Sequence, residues 1–559
     1  MLRRGVTHQE VAVLSTMMDV PLTVAGLMQY GTTVYGDSEV VTCMADGVRR
    51  QSYAQTGVRA ARLAGALRKL GVDGDQRVAT LLWNNSEHLE AYLAVPSMGA
   101  VLHTLNLRLD PRQLSYIANH AGDYVIITEP TLVPLLAAIL PSLETVRHIV
   151  VAGPVSGEGV ADTGALAGPG HEVHYYEDLL AAEPDTFSWP DLDERSAAAM
   201  CYTSGTTGMP KGVVYSHRSS YLHAMGACLG NAFAVSDRDR ILPVVPMFHA
   251  NAWGLAYAAV LSGADLIMPD RFLQPGPLVR LIEAERPTIA GAVPTIWNGL
   301  LQHIRAHGGD VSSLRLVPCG GSAVPHALME AFQKELGVEI LQAWGMTETS
   351  PLASIARPPR GTTEEEGWAY RDTAGRLFCT VEGRLVGDSG DVMPNDGVAV
   401  GEVEVRGPWI TGSYYRDDDP GKFHDGWLRT GDVGTIDRLG YITLTDRSKD
   451  VIKSGGEWIS SMELENILMG HPEVAEAAVI GVPDEKWGER PLATVVLKGD
   501  ATITPKELKA YLADRVPRWQ LPERWSFIEE VPKTSVGKFA KTKIREAYAA
   551  GDYEVVEVP

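Results

Sequence analysis

The spacing of apolar residues changes repeatedly along the first half of the chain. Helical spacing over Gly57–Leu70 predicts a helix that ends at Gly71, and the apolar run Arg77–Leu82 predicts a strand. The alternation continues with a helix, a strand, a helix and a strand over Glu87–Val95, Ala100–Leu105, Pro111–Ala121 and Tyr124–Thr128. Strands that alternate with helices predict parallel sheets covered by helices.

The pattern changes in the last third of the chain. Short strands and one helix are predicted there over Gly401–Arg406, Gly440–Thr445, Ser461–Met469, Ala477–Val482 and Ala493–Leu497. We therefore expect an α/β fold in which a large N-terminal domain of layered sheets and helices, with a β subdomain, spans residues 1–447. A small α+β C-terminal domain is expected over residues 448–559. The Gly-rich stretch Gly153–Gly170 predicts an exposed loop.

Composition fits a globular protein with more than one core: the chain has 559 residues, 45% of them hydrophobic and 21% charged. A net charge of −21 argues against non-specific binding to nucleic acid, so any anionic ligand must meet local cations. Five cysteines indicate reduced thiols in a cytoplasm rather than a disulfide framework. The richest apolar segment, Leu255–Met268, is interrupted by Ser262, Gly263 and Asp265, which disfavours a spanning helix. We expect a cytoplasmic enzyme and leave peripheral membrane contact open.

A candidate phosphate loop lies at Thr203–Lys211, where hydroxyl residues and glycines are closed by a lysine. Small residues let backbone N–H groups approach phosphate oxygens, and Lys211 adds a positive charge. Pro210 precedes the lysine, so this is not a Walker loop. Taken alone, the segment indicates either phosphate binding or a polar surface turn.

Four further motifs follow in order and decide between those two interpretations. They are Gln342–Thr349, Tyr414–Asp432, Asp446–Gly456 and Pro532–Lys538. Together with Thr203–Lys211 they resemble the core motifs of the adenylate-forming superfamily, which comprises acyl-CoA synthetases, peptide-synthetase adenylation domains and firefly-type luciferases. The resemblance implies that the substrates are a carboxylic acid, ATP with Mg²⁺, and a thiol such as CoA.

The resemblance also implies the nucleotide site. It gives the phosphates to Thr203, Ser204, Gly205, Thr206, Thr207, Gly208 and Lys211. It gives the adenine slot to Gly320, Gly321, Ser322 and Ala323, and the second core motif to Gln342, Ala343, Trp344, Gly345 and Met346, with Trp344 stacked on the base. Thr347 would touch phosphate, Glu348 and Thr207 would hold Mg²⁺, and Asp432 and Arg447 would bind the ribose.

Two further roles concern the C-terminal domain. In the family a lysine at the position of Lys538 bridges the carboxylate and the α-phosphate. The domain is mobile and rotates about the position of Lys449, so that Lys453, Ser454, Gly455 and Gly456 would line the CoA tunnel. By the same analogy, we expect a homodimer.

The acid is suggested by Met247–Trp253, which resembles the segment of fatty acyl-CoA synthetases that carries an active-site histidine and a tryptophan. His249 would line the junction of the acyl and thiol sites. Trp253 would either gate the acyl tunnel or form a fixed wall. Gly254 would leave room for a chain, and Trp297 would form another wall. We therefore expect a medium- to long-chain fatty acid–CoA ligase.

Three alternatives remain beside that expectation. A fatty acyl-AMP ligase would load a carrier protein, but it would carry an insertion before the hinge, and none is evident between Arg371 and Lys449. An aryl or sterol acid–CoA ligase would share every motif. A scaffold that has lost catalysis would lack Lys538, Glu348 or Asp432, and all three are present.

Some residues resemble chemical motifs without fitting them. The segment His171–His174 is one residue short of a zinc-protease motif, so we do not expect zinc there. Cys201 and Cys319 stand beside motifs, but thioester formation needs no enzyme nucleophile. We expect both to be small buried strand residues.

Overall fold

The computed structural model describes residues 15–153, 163–168, 170–203, 209–387, 389–417, 419–447, 449–455, 457–499, 501–534 and 537–558. Its helices, in chain order, are α1 (Val24–Val34), α2 (Tyr53–Lys69), α3 (Ser86–Ser97), α4 (Pro111–Ala121), α5 (Val133–Ile139), α6 (Tyr176–Ala181), α7 (His217–Cys228), α8 (Leu255–Ser262), α9 (Pro275–Glu285), α10 (Pro294–His307), α11 (His326–Ala331), α12 (Glu364–Arg371), α13 (Ser461–Met469), α14 (Pro505–Ala513) and α15 (Lys541–Ala550).

Its strands, in chain order, are β1 (Glu39–Met44), β2 (Gly47–Ser52), β3 (Arg77–Leu81), β4 (Val101–Thr104), β5 (Asp123–Thr128), β6 (His148–Val151), β7 (Glu172–Tyr175), β8 (Ala197–Tyr202), β9 (Gly212–Ser216), β10 (Arg240–Pro243), β11 (Asp265–Met268), β12 (Ile289–Gly291), β13 (Val317–Cys319), β14 (Ile340–Gly345), β15 (Leu352–Ile355), β16 (Gly375–Leu377), β17 (Glu382–Val386), β18 (Val392–Met393), β19 (Gly401–Arg406), β20 (Phe423–His424), β21 (Trp427–Ile436), β22 (Tyr441–Arg447), β23 (Ile452–Ser454), β24 (Glu457–Ile459), β25 (Val474–Asp484), β26 (Gly488–Leu497), β27 (Arg524–Phe527) and β28 (Val556–Glu557).

Local signals account for several of these boundaries. Helix α4 begins at Pro111 because the Asp110 side chain accepts from the N–H groups of Arg112 and Gln113, and it ends where Gly122 adopts φ 74°. Helix α2 begins at Tyr53, four residues before the predicted start, because Ser52 and Gln55 form a capping box there.

Two sheets of mainly parallel strands form most of the N-terminal part. One has the order β7-β6-β5-β3-β4-β8-β9, and the other β12-β10-β11-β1-β2. Helix α1 packs on α2, α3 and α8, and a single apolar core joins these helices to strands of both sheets. The fold is therefore the layered α/β arrangement that the alternating pattern predicts.

A third sheet carries most of the later motif residues. It has ten strands, with the path β13-β14-β15-β16-β22-β21-β19-β17-β18 and β20 beside β21, and it is antiparallel from β14 onward. Strands β21 and β22 pair Asp432 with Arg447.

The last sheet, with β24-β23-β26-β27-β28 and β25 beside β26, begins after Arg447. Helices α13 and α14 lie with it around a separate apolar core that contains Trp525. Across the turn between the two sheets, Asp446 of β22 accepts hydrogen bonds from Ser461 at the start of α13. Among the described residues, no helix is both long enough and apolar enough to cross a lipid bilayer.

Candidate active site

A cavity of about 540 Å³ opens where the ends of β8 and β14 meet the loop after β13 and a segment of the C-terminal part. It is bordered by these predicted site residues: Thr203, Lys211, His249, Trp253, Gly320, Gly321, Ala343, Trp344, Gly345, Met346, Thr347, Glu348, Arg447, Lys449 and Lys538. Residues more than 300 positions apart in sequence thus share one space. Ser204, Gly205, Thr206, Thr207, Gly208 and Gly456 lie outside the described residues.

The cavity concentrates positive charge in an acidic chain. Lys211, Lys422, Arg447, Lys449 and Lys538 border it, against the carboxylates of Glu348, Asp417 and Asp419. Local cations of this kind are what a chain of net charge −21 needs to bind a polyphosphate.

Lys211, the lysine of the candidate phosphate loop, is held by two carboxylates. Its Nζ atom lies 2.8 Å from Asp419 Oδ2 and 3.2 Å from Asp417 Oδ2, and it sits 4.8 Å from the ring centre of Tyr414. These hydrogen bonds raise the pKa of Lys211, so the side chain is an ammonium. Phosphate oxygens could replace the two carboxylates as its partners.

Asp432 holds two side chains that border the cavity, Arg447 and Trp344. One carboxylate oxygen lies 2.8 Å from Arg447 Nε, and the other accepts a hydrogen bond of 2.9 Å from the indole N–H of Trp344. Asp432 is only 4% exposed, whereas the Arg447 side chain is 38% exposed, so the carboxylate is the buried partner of the ion pair. The attraction of Asp432 raises the pKa of Arg447. The three side chains form one rigid unit that fixes the plane of the Trp344 ring.

Glu348 is the buried carboxylate of the site. Its Oε1 atom accepts a hydrogen bond of 2.6 Å from the Tyr414 hydroxyl, and the backbone of the preceding Thr347 accepts one of 2.7 Å from Tyr215. Burial and the Glu348 charge raise the pKa of Tyr414, which keeps this phenol protonated. Carboxylate and hydroxyl oxygens are the ligand atoms that Mg²⁺ prefers, so the side chains of Glu348 and its neighbour Thr347 fit that ion chemically.

Close backbone approach explains two of the motif glycines. A Cβ atom at Gly345 would lie 1.6 Å from the carbonyl oxygen of Pro351, and one at Gly320 would lie 2.5 Å from that of Ala343. Gln342 does not border the cavity. Its side chain instead accepts from the N–H of Val324 and donates to the carbonyl of Thr373, which supports the loop after β13. Ser322 and Ala323 follow in that loop, and neither borders the cavity.

Lys538 reaches the cavity from the C-terminal part. Its Cε atom would lie 3.6 Å from a Cβ atom at Gly321, and its backbone N–H donates to the hydroxyl of Thr534. Burial, together with the nearby cation of Arg447, lowers the pKa of Lys538 to about 8. The carboxylates of Asp432 and Glu348 oppose that effect.

His249 and Trp253 lie on a turn with unusual backbone. Ala250, Asn251, Ala252 and Trp253 have φ between 42° and 57°, a left-handed turn of four residues other than glycine. That conformation costs roughly 1–2 kcal/mol per residue, so surrounding contacts must impose it. Buried Asn251 accepts a hydrogen bond from the Cys201 thiol, which ties the turn to β8.

The turn places His249 and Trp253 at the border of the cavity. Burial lowers the pKa of His249 to about 3, so its imidazole is neutral, and the Lys538 charge acts in the same direction. Trp253 is 8% exposed and borders the cavity together with Phe233, Ala250 and Leu352.

Two predicted pocket residues lie elsewhere. Trp297 is fully buried in a second core, donates its indole N–H to the carbonyl of Ala292 and packs edge-on against Phe332. The prediction that it walls the acyl pocket is wrong, because the amphipathic helix α10 turns this side chain into the core. Gly254 also lies off the cavity, against the ring of His223.

The two cysteines beside the motifs are buried, as predicted. Cys201 and Cys319 are 0% exposed, and burial raises the pKa of both thiols, that of Cys201 to about 11. Neither is a nucleophile in this setting.

The segment expected along the CoA tunnel does not border the cavity in this arrangement. Lys453 is exposed, Ser454 accepts a hydrogen bond from Arg490, and Gly455 adopts φ 62° beside the ring of Trp487. The role of this segment in a CoA tunnel stays a prediction.

Several cavity residues were not predicted from sequence. They are Tyr116, Met209, Phe233, Ala250, Pro351, Leu352, Tyr414, Asp417, Asp419, Lys422, Thr430 and Gly431. Half of them lie within the Tyr414–Asp432 motif, so closer reading of that motif could have found Tyr414 and Lys422. Met209 and Ala250 lie within the segments Thr203–Lys211 and Met247–Trp253, whereas Phe233, Pro351 and Leu352 carry no local signal.

Comparisons with known proteins agree with this geometry. The AMP-binding enzyme family matches residues 31–415, and the AMP-binding enzyme C-terminal domain matches residues 463–538. A layered α/β fold with a cationic cavity over these motifs is that of a nucleotide-dependent acyl-activating enzyme. The chain belongs to the AMP-binding enzyme family.

Relatives of similar length narrow the class. The chain is similar to a long-chain-fatty-acid–CoA ligase of Thermus thermophilus, with 46% identity over 96% of this chain and 97% of that one. It is 43% identical to a 3-methylmercaptopropionyl-CoA ligase of Ruegeria pomeroyi, over 96% and 99% of the two chains. A medium-chain-fatty-acid–CoA ligase of Ectopseudomonas oleovorans is 42% identical over 96% and 97%.

Among solved structures, an anthranilate CoA ligase in complex with anthranoyl-AMP has 26% identity and a TM-score of 0.84 over 96% of this chain and 99% of that one.

Proposed function

We propose that this protein is an AMP-forming fatty acid–CoA ligase that accepts medium- to long-chain acids. Acid and ATP give acyl-adenylate and pyrophosphate, and CoA then gives acyl-CoA and AMP. The observation that carries the proposal is the position of Lys538, which borders the same cavity as Lys211, Glu348 and Arg447 and as the apolar residues near Trp253.

The first half-reaction needs alignment of two anions and stabilisation of charge. In our proposal Lys211 and the residues after Thr203 hold the phosphates, while the unit of Asp432, Arg447 and Trp344 holds ribose and base. Lys538, as an ammonium, pairs with both the acid carboxylate and the α-phosphate. Mg²⁺ would be held by Glu348 and Thr207 and would offset phosphate charge.

The second half-reaction needs a thiolate to reach the acyl carbon. We infer that the C-terminal part turns about Lys449 after pyrophosphate leaves, which withdraws Lys538 and brings Lys453–Gly455 toward the cavity. Asp446 of β22 bonds the start of α13 across this turn, so the same junction links the two parts of the chain.

The acid end favours a fatty acid over an amino acid or a dicarboxylate. Phe233, Ala250, Trp253 and Leu352 border the cavity there without a charged group among them. His249 borders the same cavity, and burial keeps its imidazole neutral, with the charges of Lys538 and Arg108 acting in the same direction. The similarity to ligases named for long-chain, medium-chain and methylmercapto acids also supports an unbranched, uncharged chain.

The experiment that tests the proposal is pyrophosphate release by the full chain with a panel of acids, with and without CoA. The panel contains acids of increasing chain length, 3-methylmercaptopropionate, benzoate and a sterol acid. We expect acid-dependent release, CoA-dependent AMP formation and a preference for straight chains. Release without transfer to CoA would favour an acyl-AMP ligase, and no response to any acid would overturn the proposal.

A homodimer, peripheral membrane contact and a cytoplasmic location stay predictions. Sedimentation of the purified chain tests the first.

A further inference from the structure

A cluster of two histidines and one glutamate lies on the edge of the seven-stranded sheet, among residues that do not border the large cavity. His148 is the first residue of β6, and Glu172 and His174 lie two apart on β7. Because the parallel register pairs His148 with Glu172 and side chains alternate along a strand, all three project from one face. Among the described residues, the atoms of these three side chains that could bind a metal all lie within 4.8 Å of one another.

The distances match those of a metal-binding triad. His148 Nδ1 lies 3.1 Å from His174 Nε2, and Glu172 Oε2 lies 3.9 Å from the first nitrogen and 3.7 Å from the second. Ligands about 2.0–2.1 Å from a tetrahedral Zn²⁺ are about 3.4 Å apart. Each observed distance therefore differs from that value by about half an ångström or less, which small side-chain rotations can supply.

Both imidazoles are held in place before any ion arrives. The side chains of His148 and His174 are only 14% and 19% exposed. The ring of Tyr124 packs edge-on against His148, and the rings of His148 and His174 lie with their centres 5.3 Å apart.

The position of the carboxylate separates a ligand set from a simple contact between two imidazoles. A hydrogen bond between two neutral imidazoles explains their 3.1 Å contact, but it gives no role to the carboxylate that approaches both nitrogens.

The surroundings leave room for further ligands. A cavity of about 340 Å³ beside the cluster is lined by His174, Asp178 and Lys69. The charge of Lys69 is balanced by Glu183, whose carboxylate lies 2.6 Å from its Nζ atom. Water can reach the open side, where Glu172 is 73% exposed.

We propose that His148, Glu172 and His174 form a binding site for a divalent transition-metal ion, with Zn²⁺ as the reference ion, that joins edge strand β7 to β6. Two imidazoles and one carboxylate with an open position are a known zinc ligand set. Sequence spacing alone misses the site, because the second histidine comes from β6 and His171 turns instead to the carbonyl of Leu166.

The test uses the full chain stripped of metal by chelation and kept in reductant. Zn²⁺ alone is titrated by calorimetry into wild type, Glu172→Gln and His174→Ala, and thermal unfolding is followed with and without Zn²⁺. We expect one Zn²⁺ per chain in wild type, affinity at least tenfold weaker in each variant, and a Zn²⁺-dependent rise in Tm that both variants lose. Glu172→Gln alters an exposed side chain, so it remains informative if a histidine variant fails to fold.

Matched controls exclude other imidazoles. His303 and His307 stack with ring centres 4.5 Å apart on α10, and His171 neighbours the cluster in sequence. His171→Ala and the double variant His303→Ala/His307→Ala should bind Zn²⁺ as wild type does. The proposal is overturned if Zn²⁺ affinity is unchanged in Glu172→Gln and His174→Ala, or if it is lost only in the His303/His307 variant.

Discussion

In the part of the cavity proposed to bind the nucleotide, charged side chains hold one another in place, whereas the proposed acid end has apolar residues and a left-handed turn of the backbone. Asp432 binds Arg447 and Trp344, and Lys211 is held by Asp417 and Asp419. The proposed acid end instead consists of the turn Ala250–Trp253, with Phe233 and Leu352 bordering the same cavity.

This difference has a functional meaning. The nucleotide end meets the same ligand in every turnover, so fixed charges can be directed at fixed atoms. A fatty acyl chain has only apolar surface to bury, so the shape of the cavity at the acid end decides which acid binds. We therefore expect substitutions at the first end to change the rate with every acid, and those at the second to change the choice of acid.

The largest effect is expected for Lys538→Ala. Removing the ammonium leaves the acid carboxylate and the α-phosphate without their shared partner, so pyrophosphate release should fall roughly 10²–10³-fold. The same variant should convert premade acyl-adenylate and CoA to acyl-CoA at a rate near that of wild type. Full activity from free acid and ATP would remove Lys538 from the mechanism.

A smaller effect is expected for Asp432→Asn. Asparagine has no negative charge and only one acceptor oxygen, so it cannot replace both the ion pair with Arg447 and the hydrogen bond from Trp344. A hydrogen bond to a charged partner is worth about 1.5–3 kcal/mol. KM for ATP should rise roughly ten- to hundredfold, with the ranking of acids unchanged.

The matched control for that variant is Asp425→Asn, the same change at a side chain that is 80% exposed. It should leave KM for ATP within twofold of wild type. An equal rise in KM for ATP in both variants would mean that Asp432 acts through the overall charge of the protein and not through its contacts with Arg447 and Trp344.

The two ends of the cavity also differ in how well the sequence predicts them. The helices Pro111–Ala121 and Ser461–Met469 were predicted with correct bounds, because caps and turn residues encode them locally. Lys211, Glu348, Arg447 and Lys538 were found through motifs, and the structure brings them to one cavity.

The acid end was predicted less well, because its form depends on tertiary contacts. The local sequence of Ala250–Trp253 does not indicate a left-handed turn. A hydrogen bond from Cys201, on a strand distant in sequence, holds this turn in place. Trp297 is predicted to form a wall of the acyl pocket, but packing on Phe332 takes it into the core. The bonds of Lys211 to Asp417 and Asp419 were missed for the same reason.

The pH profile offers a third test of the charged end. The pKa of Lys538 is lowered to about 8, and the ammonium is the active form, so activity is present below that pH and is lost as pH rises through it. In pyrophosphate release, kcat/KM should be level near pH 7 and fall about tenfold per unit well above pH 8. Thioester formation from premade acyl-adenylate should lack this limb, and the same limb in both half-reactions would assign it to another group.

The smallest change in rate, and the largest change in preference, is expected for Trp253→Ala. The indole borders the acid end, and its removal lengthens the cavity there. Each additional buried CH₂ group is worth about 0.8 kcal/mol, so the ratio of kcat/KM for a longer acid over a shorter one should rise roughly fourfold per CH₂ accommodated. KM for ATP should stay within twofold, because the nucleotide contacts of Asp432 and Lys211 are untouched.

Trp297→Phe supplies the matched control, since it alters a buried tryptophan that does not border the cavity. This variant should lower Tm by loss of core packing and leave the chain-length profile as in wild type. If Trp253→Ala also keeps the wild-type profile, Trp253 is a packing residue and the limit on chain length lies with Phe233 or Leu352. If instead KM for ATP rises in Trp253→Ala together with the change in chain-length profile, the two ends of the cavity are coupled through the turn. The two ends would then not act independently.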